Sequence, residues 1–262
     1  MERALRAAAT GMSAMQLNVD IISNNIANVN TVGFKKSTLE FEDLVYKKLR
    51  STHSSGESGG TVPTPVEVGN GVRFTASTKL HLQGPLTQTG NSLDFAINGD
   101  GFFQIQMPDG STANTRDGTF KLDSEGNLVD DKGYFVLPQI TVPEDVETLV
   151  FRQDGRVEIQ LLGEHEFTEI GQLEISRFIN KSGLSSIGGN LMVETEASGP
   201  PIDVVPGEGG VGTIEQGYTE QSNVDIITEM VAMISAQRAY EVNSKTIQTV
   251  DRMFDVANGI KR

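Results

Sequence analysis

The side chains able to do chemistry on a substrate are few in kind. The 262-residue chain has three histidines, His53, His81 and His165, and no cysteine. Without a thiol there is no disulfide, no Cys-ligated zinc or iron–sulfur centre and no Cys nucleophile, and three histidines strain any multi-His metal site. Catalysis would fall to carboxylates, and the 25 Asp and Glu residues between 51 and 221 permit many glycosidase-type pairs and single out none. Asp123-Ser124-Glu125-Gly126-Asn127 approaches a calcium loop but breaks that pattern at the Gly and at the terminal Glu, so a solvated hairpin turn is expected. Glu164-His165-Glu166 would point neighbouring side chains to opposite faces of a strand and has no Ser or ligand set beside it, so it reads as a polar loop. Gly99-Asp100-Gly101-Phe102-Phe103 lacks the Lys-Ser/Thr of a phosphate loop and enters a strand. No catalytic, cofactor-binding or metal-binding residue stands out, no cofactor is expected, and the chain does not read as an enzyme.

The elements that would carry these residues differ in charge. Residues 1–50 sum to +2, residues 51–221 to −16 and residues 222–262 to 0, which together make the −14 total. Near-neutral ends can crowd together without self-repulsion, whereas an acidic centre stays solvated and disfavours nucleic acid or anionic lipid. A hydrophobic content of 37% marks a foldable chain. No stretch reaches the ~18 apolar residues of a membrane-spanning helix. Arg3 and Arg6 precede only weakly apolar residues, interrupted at Gln16 and Asn18, so no cleaved signal peptide is expected.

The ends are the best-patterned parts. Met1, Leu5, Ala8, Met12, Met15, Val19, Ile22, Ile26 and Val29 follow each other by alternating steps of four and three. That 3.5-residue period is a heptad seam on one helix, with Gly33 as a C-terminal stop. Near the C-terminus, Ser222-Asn223 can cap a second helix that meets no Pro, and no Gly before Gly259. Its apolar residues include Ile227, Met230, Val231, Ile234, Ile247, Val250 and Phe254, on either side of a polar middle that suits a partner as well as water. Two long terminal helices bracketing one domain are expected to pair antiparallel in coiled-coil fashion.

Between them the period becomes 2. Val72, Phe74, Ala76, Thr78, Leu80 and Leu82 alternate with polar residues, as do Val157, Ile159 and Leu161, and Phe103, Ile105 and Met107 form a third stripe. Asp-Gly pairs at 100–101, 109–110, 117–118 and 154–155 signal hairpins, with further breaks at Gly126-Asn127 and Lys132-Gly133. The fold expected is α+β: a terminal helical assembly domain from residues 1–33 and 223–262, an extended linker from 34–71 and 201–222, and an acidic all-β domain of short antiparallel strands over 72–200. Residues 52–65 are rich in Gly, Ser and Pro and read as a linker. Helix faces that one chain cannot bury suit a polymer whose non-closing contacts give a helical filament. A carbohydrate-active enzyme and a helical-stalk adhesin are the rival classes.

Specific strings then stand out. Ser23-Asn24-Asn25-Ile26-Ala27-Asn28-Val29-Asn30-Thr31-Val32-Gly33-Phe34-Lys35 resembles the N-terminal motif of bacterial flagellar rod and hook axial proteins. Ser222-Asn223-Val224-Asp225, Glu229-Met230-Val231 and the run from Gln237, Arg238 and Tyr240 to Asn243 and Lys245 resemble their C-terminal motif. Gly99-Asp100-Gly101-Phe102-Phe103, Thr115-Arg116-Asp117-Gly118-Thr119-Phe120 and Gly189-Asn190-Leu191 also fit that family. The length is short for a hook-type member, and the segment 46–63 stands where members of the distal rod carry an insertion.

The resemblance implies a structural subunit of the distal rod that self-assembles into a tubular drive shaft and transmits torque to the hook; a proximal rod or hook-type axial protein is the alternative. It implies a periplasmic position in the flagellar basal body and export through the flagellar type III apparatus without signal cleavage. It implies as partners other copies of the chain, proximal rod proteins, the hook protein and the basal-body ring proteins, with no nucleic acid and no integral membrane segment. It also implies that segment 46–63 packs between subunits and stiffens the rod, in tension with a flexible composition unless the segment orders on assembly. The residues expected to drive self-assembly are Leu5, Met12, Met15, Val19, Ile22 and Ile26 at the N-terminus and the seven C-terminal apolar residues named above. They are expected to form an inner helical tube beneath an outer acidic β layer. Asn24, Asn25 and Asn28 lie off the seam, where they can satisfy backbone groups at a crowded joint.

Overall fold

The computed structural model describes residues 2–50, 65–143, 145–163 and 166–260. Met1 of the seam, most of the 46–63 insertion, nearly all of the 52–65 linker, and Glu164 and His165 lie outside the described residues. The chain is α+β: helix α1, Glu2–Ala27, and helix α2, Ile226–Ile260, enclose many short antiparallel strands.

Spacing explains α1. Along the seam Ala8 and Ile22 are buried and Leu5, Met12, Met15, Val19 and Ile26 are half-buried, while Ser13, Gln16, Asp20, Ser23 and Asn24 on other faces are exposed. The helix ends at Ala27, ahead of Gly33, because residues 28–34 close two turns: Thr31 N–H donates to Asn28 O (3.2 Å) and Phe34 N–H to Thr31 O (3.3 Å). Gly33 is therefore not the helix stop expected from the sequence.

The cap of α2 also differs from expectation. Asp225, not Ser222-Asn223, holds its first turn: Oδ1 accepts from Ile227 N–H (2.9 Å) and Oδ2 from the Thr228 hydroxyl (2.9 Å). An acid there also suits the positive end of the helix dipole. Ser222 and Asn223 are engaged elsewhere, Asn223 with the backbone of Lys36, Leu80 and Leu82.

The chain forms two compact units and crosses between them four times, after Ile26, Lys36, Thr78 and Val224. The first unit holds α1, α2 and two ribbons, in which Ser37–Asp43 pairs with Val72–Lys79 and Lys47–Arg50 pairs antiparallel with Val66–Val68. The ribbons are narrow and cover little: Phe41, Val45, Tyr46, Leu49, Val66 and Phe74 are all exposed, and of the stripe expected to be half-buried, Val72, Ala76 and Thr78 are so while Phe74, Leu80 and Leu82 are exposed.

The second unit is the β unit, residues 27–36 and 79–224. Segment 201–222, expected to be linker, supplies three of its strands: Ile202–Val204 pairs with Ile175–Arg177, Thr213–Gln216 with Phe95–Asn98, and Tyr218–Glu220 with Leu86–Gln88. A seven-stranded antiparallel sheet runs in spatial order Ser185–Gly188, Leu191–Val193, Thr112–Thr115, Phe103–Gln106, Phe135–Leu137, Leu128–Val129, Lys121–Leu122, beside a three-stranded sheet, Val146–Phe151, Arg156–Leu161 and Thr168–Gln172. Their inward residues make one apolar core in which Phe95 meets Phe151 at 4.3 Å between centroids and Phe103 meets Phe120 edge-on at 5.3 Å.

Hairpins close at 109–110, 126–127, 132–133 and 154–155, as Asp-Gly and its relatives predict. Asp100-Gly101 and Asp117-Gly118 close none. A Cβ on Gly118 would lie 1.9 Å from Phe95 O, so this Gly permits a close backbone approach instead.

Candidate functional site

Three arrangements stand out, and none is a catalytic cleft. The first is a buried joint in the helical unit. Asn25 is 1% exposed although its position is polar in the heptad pattern. Its amide pairs with one residue's backbone as a strand neighbour would, donating to Ser37 O (2.9 Å) and accepting from Ser37 N–H (3.0 Å). The same amide nitrogen donates to Glu229 Oε2 of α2 (3.1 Å), so one side chain ties α1, the following strand and α2 together. Asn24, by contrast, is exposed, and Asn28 accepts the Thr31 hydroxyl (3.2 Å) within the turn.

The second is a buried charge cluster in the β unit. Glu220 is fully buried and lies between Lys35 and Arg116, themselves 2% and 3% exposed. Lys35 Nζ donates to Glu220 Oε1 (2.6 Å) and Leu82 O (2.7 Å). Arg116 Nη1 donates to Glu220 Oε2 (3.1 Å) and Nη2 to Gly99 O (2.7 Å), while Gly84 N–H donates to Oε1 (2.8 Å). Burial pulls the Lys35 ammonium below its usual range despite the carboxylate beside it, so desolvation outweighs pairing here. Gly33 enters the same cluster with φ +70°, its N–H donating to Glu220 O (2.8 Å). A Cβ on it would stand 2.6 Å from Asp117 N. Gly33→Ala is therefore expected to destabilise the β unit by on the order of 1–3 kcal/mol, read as a lowered Tm; an unchanged Tm would remove this role.

The third is the bare flank of α2. Its inward side is Glu229, Ala236 and Val250, all buried, with Met233, Asn243, Ile247 and Phe254 half-buried. Ile227 (75% exposed), Met230, Val231 and Ile234 form a separate apolar stripe open to solvent. Of the C-terminal assembly residues, these four face out and Ile247, Val250 and Phe254 face in. Gln237, Arg238 and Tyr240 of the C-terminal motif are exposed. Gln237 and Tyr240 line a groove with Gln16, Val19 and Glu241, and Gly11 of α1 comes up against the Asn243 amide.

The chemical candidates of the sequence are used structurally. Asp123 Oδ1 accepts from Glu125 N–H (2.9 Å) and Asn127 N–H (2.8 Å), closing its turn, and those bonds hold its carboxyl below the usual range. Asp100 pairs with Lys181 at 2.6 Å, and that bond lowers its pKa too. Among the described residues no group of three or more His, Asp or Glu side chains could hold a metal ion, and no helix is long and apolar enough to cross a membrane.

Three family profiles match along the chain: Flagella basal body rod protein at residues 5–35, Flagellar hook protein FlgE/F/G D1 domain at 96–159, and Flagellar basal body rod FlgEFG protein C-terminal at 215–260. The "Flagellar basal-body rod protein FlgG" of Borreliella burgdorferi is 48% identical over 264 residues, covering 100% of both chains. That of Buchnera aphidicola subsp. Schizaphis graminum is 47% identical over 245 residues, 94% of each. The chain belongs to the FlgG family of flagellar basal-body rod proteins. A match to the flagellar hook protein FlgE of Helicobacter mustelae takes in only 52% of this chain and 30% of that protein, so the hook-type alternative is not favoured. Within this FlgG-family chain the rod-protein profiles fall on the segments that build the two buried joints: Asn25, Gly33 and Lys35 in the first, Glu220 and Glu229 in the last.

The sequence did not single out Glu220, Lys35, Arg116 or Glu229 as site residues. For Glu229 a signal exists, since Glu229, Ala236, Asn243 and Val250 stand seven apart, but two polar residues in the series hide it from an apolar search. For Glu220 no local pattern marks a carboxylate destined for burial.

Proposed function

We propose that this chain is a structural subunit of the flagellar distal rod, self-assembling into a helical tubular shaft that carries torque across the periplasm to the hook. The observation that carries the reading is the division of α2 into two stripes. Its inward seam is covered within the chain, while Ile227, Met230, Val231 and Ile234 are left bare over two turns of helix. Contacts of Asn25 with Glu229 and of Gly11 with Asn243 run in opposite senses along α1 and α2, which supports an antiparallel, coiled-coil-like pair. In the assembled shaft the bare stripe is covered by neighbouring copies, so the assembly domain comprises residues 1–33 and 223–262.

The ribbon whose first strand lies in the insertion supports a second contact between copies. A two-stranded ribbon is marginal alone in water, yet Lys47–Arg50 and Val66–Val68 present Leu49 and Val66 to solvent beside Val45 and Tyr46. Partners on this reading are other copies, the proximal rod proteins, the hook protein, the ring proteins and the flagellar export apparatus, and export proceeds without signal cleavage.

Electron microscopy of the concentrated full-length chain tests the proposal. Straight tubular filaments are expected, and a chain lacking residues 1–33 and 223–262 should stay monomeric in sedimentation. A full chain that remains monomeric at high concentration, or filaments from the truncated one, would overturn it.

A further inference from the structure

Residues 80–84 seat both terminal segments in the β unit. Leu80 N–H donates to Lys36 O (2.8 Å), and Leu82 O accepts Lys35 Nζ. The Asn223 amide donates to Leu80 O (2.8 Å) and Leu82 O (3.1 Å), while Gly84 N–H reaches Glu220. His81 stands in the middle of this seat. Its imidazole meets Phe102 edge-to-face at 5.6 Å, and the Arg116 guanidinium lies 5.4 Å from the same phenyl ring. His81 Nδ1 is buried and has no hydrogen-bond partner among the described residues. The charged groups around it are Lys35 from the N-terminal segment, Lys79 from the preceding strand, Arg116 and Lys181. The nearby carboxylates are already engaged, Glu220 by Lys35 and Arg116, and Asp100 by Lys181.

We propose that His81 is an acid-sensitive latch: its protonation adds a positive charge to an enclosure already holding four cations and releases residues 80–84, and with them both terminal segments, from the β unit.

Burial, followed by the four cations, pushes the imidazole down to about 4 from its ordinary 6.5. The latched form therefore requires neutral His81, whereas the released imidazole takes a proton near pH 6.5. The sign follows: the latch is at full strength above pH 6.5, weakens as pH falls, and levels off below about pH 4. Opening should rise about tenfold per pH unit through that window, about 300-fold in all.

Hydrogen exchange in the dilute full-length chain, corrected for the intrinsic pH dependence, tests this at the amides of Gly33, Lys36 and Leu80. In the wild type their exchange should rise with the slope given above, while the Ile105 amide in the core sheet stays flat over the same range. His81→Gln should abolish the slope, and His81→Arg should exchange rapidly at pH 7. An equal slope in His81→Gln would assign the acid response to the carboxylates and overturn the proposal. So would a His81 imidazole that titrates near 6.5 while those amides stay protected. Should His81→Arg fail to fold, the His81→Gln comparison decides alone.

Discussion

Glu220→Gln should cost the β unit about 3–5 kcal/mol, more than any other single substitution considered. The loss does not come from a strong ion pair: burial already works against Lys35, so the pair is not a source of large net stability. It comes from what remains. The glutamine keeps an acceptor for Gly84 N–H but leaves Lys35 and Arg116 buried with no compensating charge. Denaturant unfolding of the dilute full-length chain, followed by circular dichroism of the β signal, measures the change. A triple replacement of Lys35, Arg116 and Glu220 by apolar residues of similar length should recover most of the stability, since an apolar substitute for a buried charge cluster is often neutral or better. If the single and triple variants are equally impaired, packing at Glu220 matters and charge does not.

Ile227→Asp combined with Ile234→Asp should abolish polymerisation and leave the monomer intact. Both side chains are exposed within the chain, so their replacement should move stability by no more than about 0.5 kcal/mol each. In a non-closing polymer each subunit presents the altered surface at every step, so a modest loss per contact is multiplied along the shaft. Sedimentation at concentrations where the wild type forms filaments, together with an unchanged melting curve, is the expected pair of results. Filaments from the double variant would show that the stripe is not an assembly surface. Met15 and Ile22 are poorer places for this test, because Ile22 is buried and an acid there would damage the fold before any contact between copies.

How much of this was legible depended on whether local pattern and tertiary role agreed. The seam from Leu5 to Ile26 was readable because the apolar side of α1 is also its covered side. Val157 and Ile159, and Phe103 and Ile105, alternate in the sequence and are buried in the structure for the same reason. On α2 the two disagree. The large apolar residues Ile227, Met230, Val231 and Ile234 are bare, and the inward seam is built partly from Glu229, Ala236 and Asn243, which an apolar search passes over. The same gap hid the β unit's true extent. Segment 201–222 looks like linker because Gly and short polar residues dominate parts of it, yet each of its strands gains regular backbone pairing from a partner far away in sequence. Asn25 stands between these cases: its residue type fitted a backbone-satisfying role, but only the fold brings Ser37 within reach.

The Glu220 cluster also bears on the order in which the molecule can be completed. Its carboxylate lies 185 residues after Lys35 and 104 after Arg116. A polypeptide that emerges from its N-terminus makes both cations long before the anion that allows their burial, and closing loops of that length is slow. Until Tyr218–Glu220 docks beside Leu86–Gln88, Lys35 and Arg116 are held in water by their own hydration. This end of the β unit thus closes only after Tyr218–Glu220 has been made, long after the strands and cations it joins.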